Sequence, residues 1–361
     1  MFLNKNAIVV LLVILISLVA CKDKNDDYSI PTSYNFENVD HSGQTERLNM
    51  LSEMKAYMAT AKIQNTALDV EKLKSMYANI NDAFSSDYEK ELKNKTFESE
   101  QNKIEILIEE LAFASESTVN GELNQTGIIV STDGSKSYLI GSDGLDHAQL
   151  IEKGLMGACF YYQATSVYLG TGKMDVDNDS ITTGKGTTME HHWDEAFGYL
   201  GVSKEFPTNT NDVSFWGKYT NTVDPILNSN QTIMDAFLKG RTAIVNDDMD
   251  VRDEAISEIR SIWELIVVGS ALHYLNEGIA QCNDPAIRLH ALSEATGFIY
   301  SLRFNEEKIA TNTEIDGWLI GLTDADTFED MNLYQAETEE IKDVIVDLAL
   351  TYNLTENQFN F

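Results

Sequence analysis

Only four prolines, Pro31, Pro207, Pro225 and Pro285, fall in 361 residues, and this scarcity constrains the fold more than any other feature. Proline breaks a helix interior by removing an amide donor and clashing with the preceding turn, so long stretches of this chain are free to stay helical. Apolar residues recur at the three- and four-residue steps that line one helix face. Leu48, Leu51, Met54, Met58 and Ala61 follow that pattern, and Ile104, Leu107, Ile108, Leu111 and Ala112 repeat it over 99–117. Further helices are expected over 68–80, 146–170, 189–201, 230–246, 250–282, 286–304 and 336–353. A single β signal interrupts them, two apolar runs flanking the turn-forming pair Asp133-Gly134. The expected fold is therefore all-α, in bundle-like halves, with one short hairpin near 127–140.

An internal repeat suggests how the helices are arranged. His191-His-Trp-Asp-Glu195-Ala-Phe-Gly198 reads against His290-Ala-Leu-Ser-Glu294-Ala-Thr-Gly297, with His, Glu, Ala and Gly coinciding. Upstream, Tyr168-Leu169 reads against Tyr274-Leu275, and the first copy carries a longer loop between its two parts. Duplication of a helix–loop–helix unit follows, with an N-terminal half over 44–205 and a C-terminal half over 206–361.

The N-terminus carries an address. Lys5 precedes a 14-residue apolar run from Ala7 to Ala20, too short to span a bilayer, which takes roughly 20 residues. It ends in Leu18-Val19-Ala20-Cys21, which looks like a bacterial lipobox. Residues 1–20 read as a lipoprotein signal peptide and Cys21 as the acylated first residue of the mature chain. Residues 21–43 read as a charged tether followed by an extended aromatic segment. The expected location is the outer membrane of a Gram-negative bacterium, lipid-anchored, on its periplasmic or exposed face. The other two cysteines, Cys159 and Cys282, lie in apolar helical contexts and are expected as buried free thiols.

Against 58 acidic residues stand 26 basic ones, a formal charge of −32. Nucleic acid is excluded as a partner, because phosphate contacts need a basic footprint. Such a surface concentrates cations instead. No HExxH, phosphate-cradling glycine loop or G-x-S-x-G is present, so no hydrolase or nucleotide-hydrolysing signature supports an enzyme. Two groups of candidate metal ligands remain. His191 and Glu195 are four residues apart, His192 and Glu195 three, and His290 and Glu294 repeat the first spacing. Imidazole and carboxylate from facing helices are how bundles hold transition metals, here iron or zinc. If equivalent helices face one another, these ligands converge, with His273 and Glu277 near enough to contribute. In an architectural reading each His instead hydrogen-bonds its own neighbours. Separately, Asp175, Asp177 and Asp179 alternate as at the start of a calcium loop, although Gly186 stands where the closing Glu is required. A solvated acidic turn is the other reading of those residues.

Taken together, the lipobox, the Tyr28–Gln44 segment, the repeat and Glu190-His-His-Trp-Asp-Glu195-Ala-Phe-Gly-Tyr199 resemble a family of Gram-negative lipoproteins, a domain of unknown function related to imelysin-like proteins. That resemblance covers nearly the whole mature chain. It implies a two-domain, all-α duplication implicated in iron uptake, with a G-x-H-x-x-E motif near the domain interface. His192-Trp-Asp-Glu195 matches its H-x-x-E, while Glu190 stands at the glycine position. The resemblance thus selects His192 where the internal repeat selects His191. The functional expectation is a membrane-anchored lipoprotein that binds a metal ion or metal-bearing ligand alongside iron-uptake components. The alternative is a non-catalytic structural or adhesion lipoprotein with an acidic surface and at most a structural calcium loop.

Overall fold

A computed structural model describes residues 28–361. The expected signal peptide, the expected lipidation site Cys21 and the charged part of the expected tether lie outside the described residues. Among these, thirteen α-helices and one two-stranded antiparallel sheet make a mainly α-helical protein, as the proline scarcity and the periodicity predict. None of the helices is long and apolar enough to cross a membrane.

The chain first runs without helix from Tyr28 to His41. Helices α1 (Ser42–Met58), α2 (Val70–Ala78) and α3 (Glu98–Ser115) follow. Strands β1 (Gly127–Val130) and β2 (Ser137–Ile140) pair from Gly127–Ile140 to Val130–Ser137. Pairing stops two residues earlier on each side than a two-residue turn would allow. Asp133 gathers the amide of Ser135 and the hydroxyls of Ser131 and Ser135 instead, and Gly134 takes a left-handed φ of 72°.

Helix α4 (His147–Leu155) starts on the carboxylate of Asp146, which accepts from Ala148 and Gln149. The helix expected over 146–170 changes type after Leu155, because Met156–Tyr161 and Gln163–Tyr168 are π-helical. Neighbours supply extra donors along this widened stretch. The Trp216 indole donates to the Met156 carbonyl at 2.8 Å, and Arg260 donates to the carbonyls of Thr165 and Leu169. A short α5 (Thr171–Met174) and the acidic loop lead to α6 (Thr188–Gly198).

The second half contains α7 (Trp216–Leu227), α8 (Ser229–Val245), the 32-residue α9 (Met249–Ala280) and α10 (Pro285–Ser301). Helices α11 (Asn312–Gly321), α12 (Thr338–Thr351) and α13 (Glu356–Phe359) complete it. Helix α9 packs against α7, α8 and α10, and α10 also packs on α4 and the hairpin. Periodicity left α7 and α11 unassigned. Both are short, and Pro225 sits in the last turn of α7, while its face Trp216, Tyr219, Thr220 and Val223 is buried.

A single hydrophobic core draws on both halves. Trp193, Trp216 and Trp263 are fully buried at its centre, with Trp318 nearly so. Cys159 is a buried free thiol, as expected. Cys282 departs from that expectation. It is free but exposed, because α9 ends at Ala280 and the turn before Pro285 carries it out of the apolar face.

Candidate functional site

Helix α6 carries the densest set of chemical side chains. Its start is a capping box, in which Thr187 accepts from the Glu190 amide while Glu190 accepts from the Thr187 amide. Glu190 also takes the Arg241 guanidinium at 2.6 Å. Asp194, with no exposed surface, accepts from Arg241 at 3.0 Å and from the Tyr34 hydroxyl at 2.7 Å. Burial outweighs Arg241 and raises the Asp194 carboxyl to about 6. Trp193 donates its indole N–H to the Phe237 carbonyl at 3.2 Å. Gly198 lies so close to α1 that a Cβ there would stand 2.6 Å from that of His41. Asp194, Phe197 and Gly198 thus fasten the N-terminal segment and α1 to α6, while Glu190 and Trp193 tie α6 to α8.

His191, His192 and Glu195 are engaged differently. His191 Nε2 and Glu195 Oε2 are 4.0 Å apart, with side chains 22% and 18% exposed. Gln44 donates to the other Glu195 oxygen at 3.0 Å. His191 Nδ1 is buried without a hydrogen-bond partner. His192 Nδ1 lies 2.9 Å from the Lys173 carbonyl oxygen, so that nitrogen carries the proton and donates. Its Nε2 then faces the Lys173 ammonium at 3.4 Å, and burial lowers the pKa of the ring. Tyr168, at the end of the π-helical run, lies beside both, and its phenol is pushed up by burial and then by Glu195.

The second repeat copy is built otherwise. His290 sits between two carboxylates, with Nδ1 2.9 Å from Asp146 and Nε2 3.2 Å from Glu294, and its ring stacks on Tyr138 at 4.0 Å. Glu294 also faces Lys153 at 3.4 Å and accepts from Tyr219 at 3.2 Å. Lys153 is fully buried and contacts Glu152 at 3.1 Å, while Glu152 takes Lys55 at 2.9 Å. Burial works against ionisation of Glu294, yet Lys153 and His290 hold its carboxyl well below the usual range. Burial likewise opposes the His290 charge, and Asp146 and Glu294 overcome it, raising the imidazole above its ordinary value.

Convergence of the two pairs is not what the structure has. Helix α6 packs on α1, α5, α8 and the second π-helical segment, Gln163–Tyr168, whereas α10 packs on α4, α9, α11, the hairpin and the first segment, Met156–Tyr161. Among the described residues no three or more His, Cys, Asp or Glu side chains are placed to hold a metal ion. The physical reason is saturation, since each carboxylate of the second copy already has an ammonium or imidazolium against it. His273 stacks against Phe361 rather than joining either pair. The acidic loop is also open. Asp175, Asp177 and Asp179 are all exposed, and Asp177 accepts the Ser180 amide at 3.0 Å in a local turn.

Periodicity did not single out Asp146, Lys153, Tyr34, Tyr168 or Arg241. Asp146 had a usable signal, an N-cap aspartate ahead of an apolar helix. Lys153 had none, for a lysine on a helix reads as solvated until its neighbours are known.

These features define an all-α protein whose N-terminal segment is fastened to a helical bundle, with one half-buried His–Glu pair that is not closed by other side chains. The chain belongs to the DUF4856 family, a domain of unknown function, whose model matches residues 31–355. The match begins inside the extended segment, so that segment is part of the family's domain rather than an appendage. Comparison with curated proteins and with solved structures gives no match.

Proposed function

We propose that this chain is a lipid-anchored, non-catalytic binding protein of a Gram-negative outer membrane, akin to imelysin-like proteins, that takes up a metal-bearing ligand in iron acquisition through His191 and Glu195. The observation that carries this reading is the 4.0 Å gap between His191 Nε2 and Glu195 Oε2. Two donors about 2.1 Å from one ion at a tetrahedral angle lie roughly 3.4 Å apart, so a small side-chain adjustment admits an ion between them. His290 and Glu294, at hydrogen-bonding distance from each other and from Asp146 and Lys153, offer no such opening. A pair supplies half of a four-coordinate shell, and a bound ligand supplies the rest.

The test is metal content of the purified full chain after exposure to iron or zinc. Glu195→Gln and His191→Ala should each lower bound metal, and Glu294→Gln should not. Equal content in all four proteins, or none in the wild type, overturns the metal reading. That result favours the structural or adhesion alternative, which is supported by the five motif residues of α6 engaged in fold contacts.

A further inference from the structure

Helix α9 gives the molecule two ends, and the N-terminal segment meets it at one of them. Asp248 caps the start of α9 by accepting the Val251 amide, and it also accepts from the hydroxyl of Tyr28, the first described residue, at 3.3 Å. After 32 residues α9 ends, and Asp284, in the turn beyond it, accepts from the amide and the hydroxyl of Thr132 in the hairpin, both at 2.8 Å. At 1.5 Å per residue the two ends lie about 48 Å apart. The His191–Glu195 pair belongs to the Tyr28 end. Asn178 donates to the Ile244 carbonyl at 2.9 Å and to Asp247 at 2.6 Å, and it accepts at 2.7 Å from the hydroxyl of Thr187, the N-cap of α6. His191 follows one turn later, its amide bonded to the Thr187 carbonyl at 3.0 Å.

Only the seven residues 21–27 connect the proposed lipidation site to Tyr28. At about 3.6 Å per residue, a chain of that length reaches no further than about 25 Å. A bilayer that holds Cys21 therefore lies within that reach of the Tyr28 end. An inverted pose, with the hairpin against the lipid and Tyr28 on the far side, asks for about twice that reach. A pose with one flank on the bilayer is the other alternative, and charge opposes it. The chain carries −32, and an anionic leaflet repels acidic surface that comes within the screening length of about 8 Å. Standing on one end brings the least surface into that range. We infer that the anchored protein stands end-on, with the α8–α9 turn and the His191–Glu195 pair toward the lipid surface and the hairpin directed away from it. The inference rests on the lipid anchor proposed above and adds the side from which the pair meets its ligand, close to the bilayer rather than at the outer tip of the molecule.

The test reads distance from the bilayer by energy transfer to a headgroup-linked acceptor, with the acylated full chain in vesicles of phosphatidylethanolamine and phosphatidylglycerol. Cys282 is an exposed thiol just past the end of α9 and takes the donor dye without mutation, because Cys159 is buried. Asp250→Cys and Ser261→Cys, each combined with Cys282→Ser, place the donor at two exposed positions, in the first turn of α9 and about 17 Å further along it. Transfer should fall from position 250 to 261 to 282, at least threefold between the ends. Equal transfer from all three positions overturns the inference in favour of the flank-down pose, and strongest transfer from 282 overturns it in favour of the inverted one. Both results leave the anchor standing. The Cys21→Ala chain should not be retained on the vesicles. Its retention with undiminished transfer, or a wild type that the vesicles do not retain, defeats the anchor and the orientation together.

Discussion

Tyr34 lies flat on Phe197, the ring centroids 3.8 Å apart and the planes 5° from parallel. Its hydroxyl donates at 2.7 Å to Asp194 one helical turn earlier on the same helix, and Asp194 is held by Arg241. One side chain from the extended segment is thus stacked, hydrogen-bonded and fully buried at once.

Tyr34→Ala should therefore destabilise the protein by about 3–5 kcal/mol, the usual range for deleting a buried aromatic ring. Tyr34→Phe keeps the stack but strips a donor from a buried carboxylate, which costs about 1–3 kcal/mol. Denaturant unfolding measures both, and unchanged stability in the two variants would show that the segment is not docked.

Lys153 holds together a buried chain of charges running from Lys55 through Glu152 and Glu294 to His290 and Asp146. Lys153→Met leaves Glu152 and Glu294 without their shared cation, a loss of about 3–5 kcal/mol for a broken buried pair. Adding Glu294→Gln should cost less than the two single changes summed, because they act on one network. Strict additivity in the double-mutant cycle would contradict the network.

Protonated His290 bridges α4 and α10 through Asp146 and Glu294, with Tyr138 of β2 on its face. Its folded pKa is raised above the ordinary 6.5, so its contribution is fully present below about 6.5 and is lost as pH rises through the folded value. The melting temperature of the wild type should fall relative to His290→Gln over that window. A difference that stays flat from pH 5 to pH 9 would remove the bridge from the account.

Cys159 and Cys282 should separate cleanly in thiol chemistry. Burial pushes the Cys159 thiol up to about 12, and no solvent reaches it, whereas Cys282 is exposed. Alkylation of the native chain at pH 8 should modify Cys282 and spare Cys159, and both should react once the chain is unfolded. Rapid native labelling of Cys159 is the contrary result, readable by peptide mass mapping.

Much of the architecture was legible because it is local. The pattern Leu48, Leu51, Met54, Met58 marks the buried face of α1, all four being in the core. Asp133-Gly134 marks the tip of the only sheet among the described residues. Short α7 was missed because Pro225 and a twelve-residue length hide a face that only packing makes apolar. The continuation of α4 as π-helix was not legible either, for its extra donors come from Trp216 and Arg260, far along the chain.

For the site, the sequence by itself determined which residues could do chemistry, because His–Glu spacing along a helix fixes a shared face. It did not determine which of them were free to do it. His290 is engaged by Asp146, 144 positions away, and Asp194 by Tyr34, 160 positions away. Two pairs with the same spacing therefore differ in kind, one saturated by Asp146 and Lys153 and the other left with a 4.0 Å gap. Helical period is a property of neighbours along the chain, enforced by backbone hydrogen bonds and apolar burial. The charge state and availability of a buried side chain depend on which distant groups share its low-dielectric surroundings, and only tertiary packing brings those together.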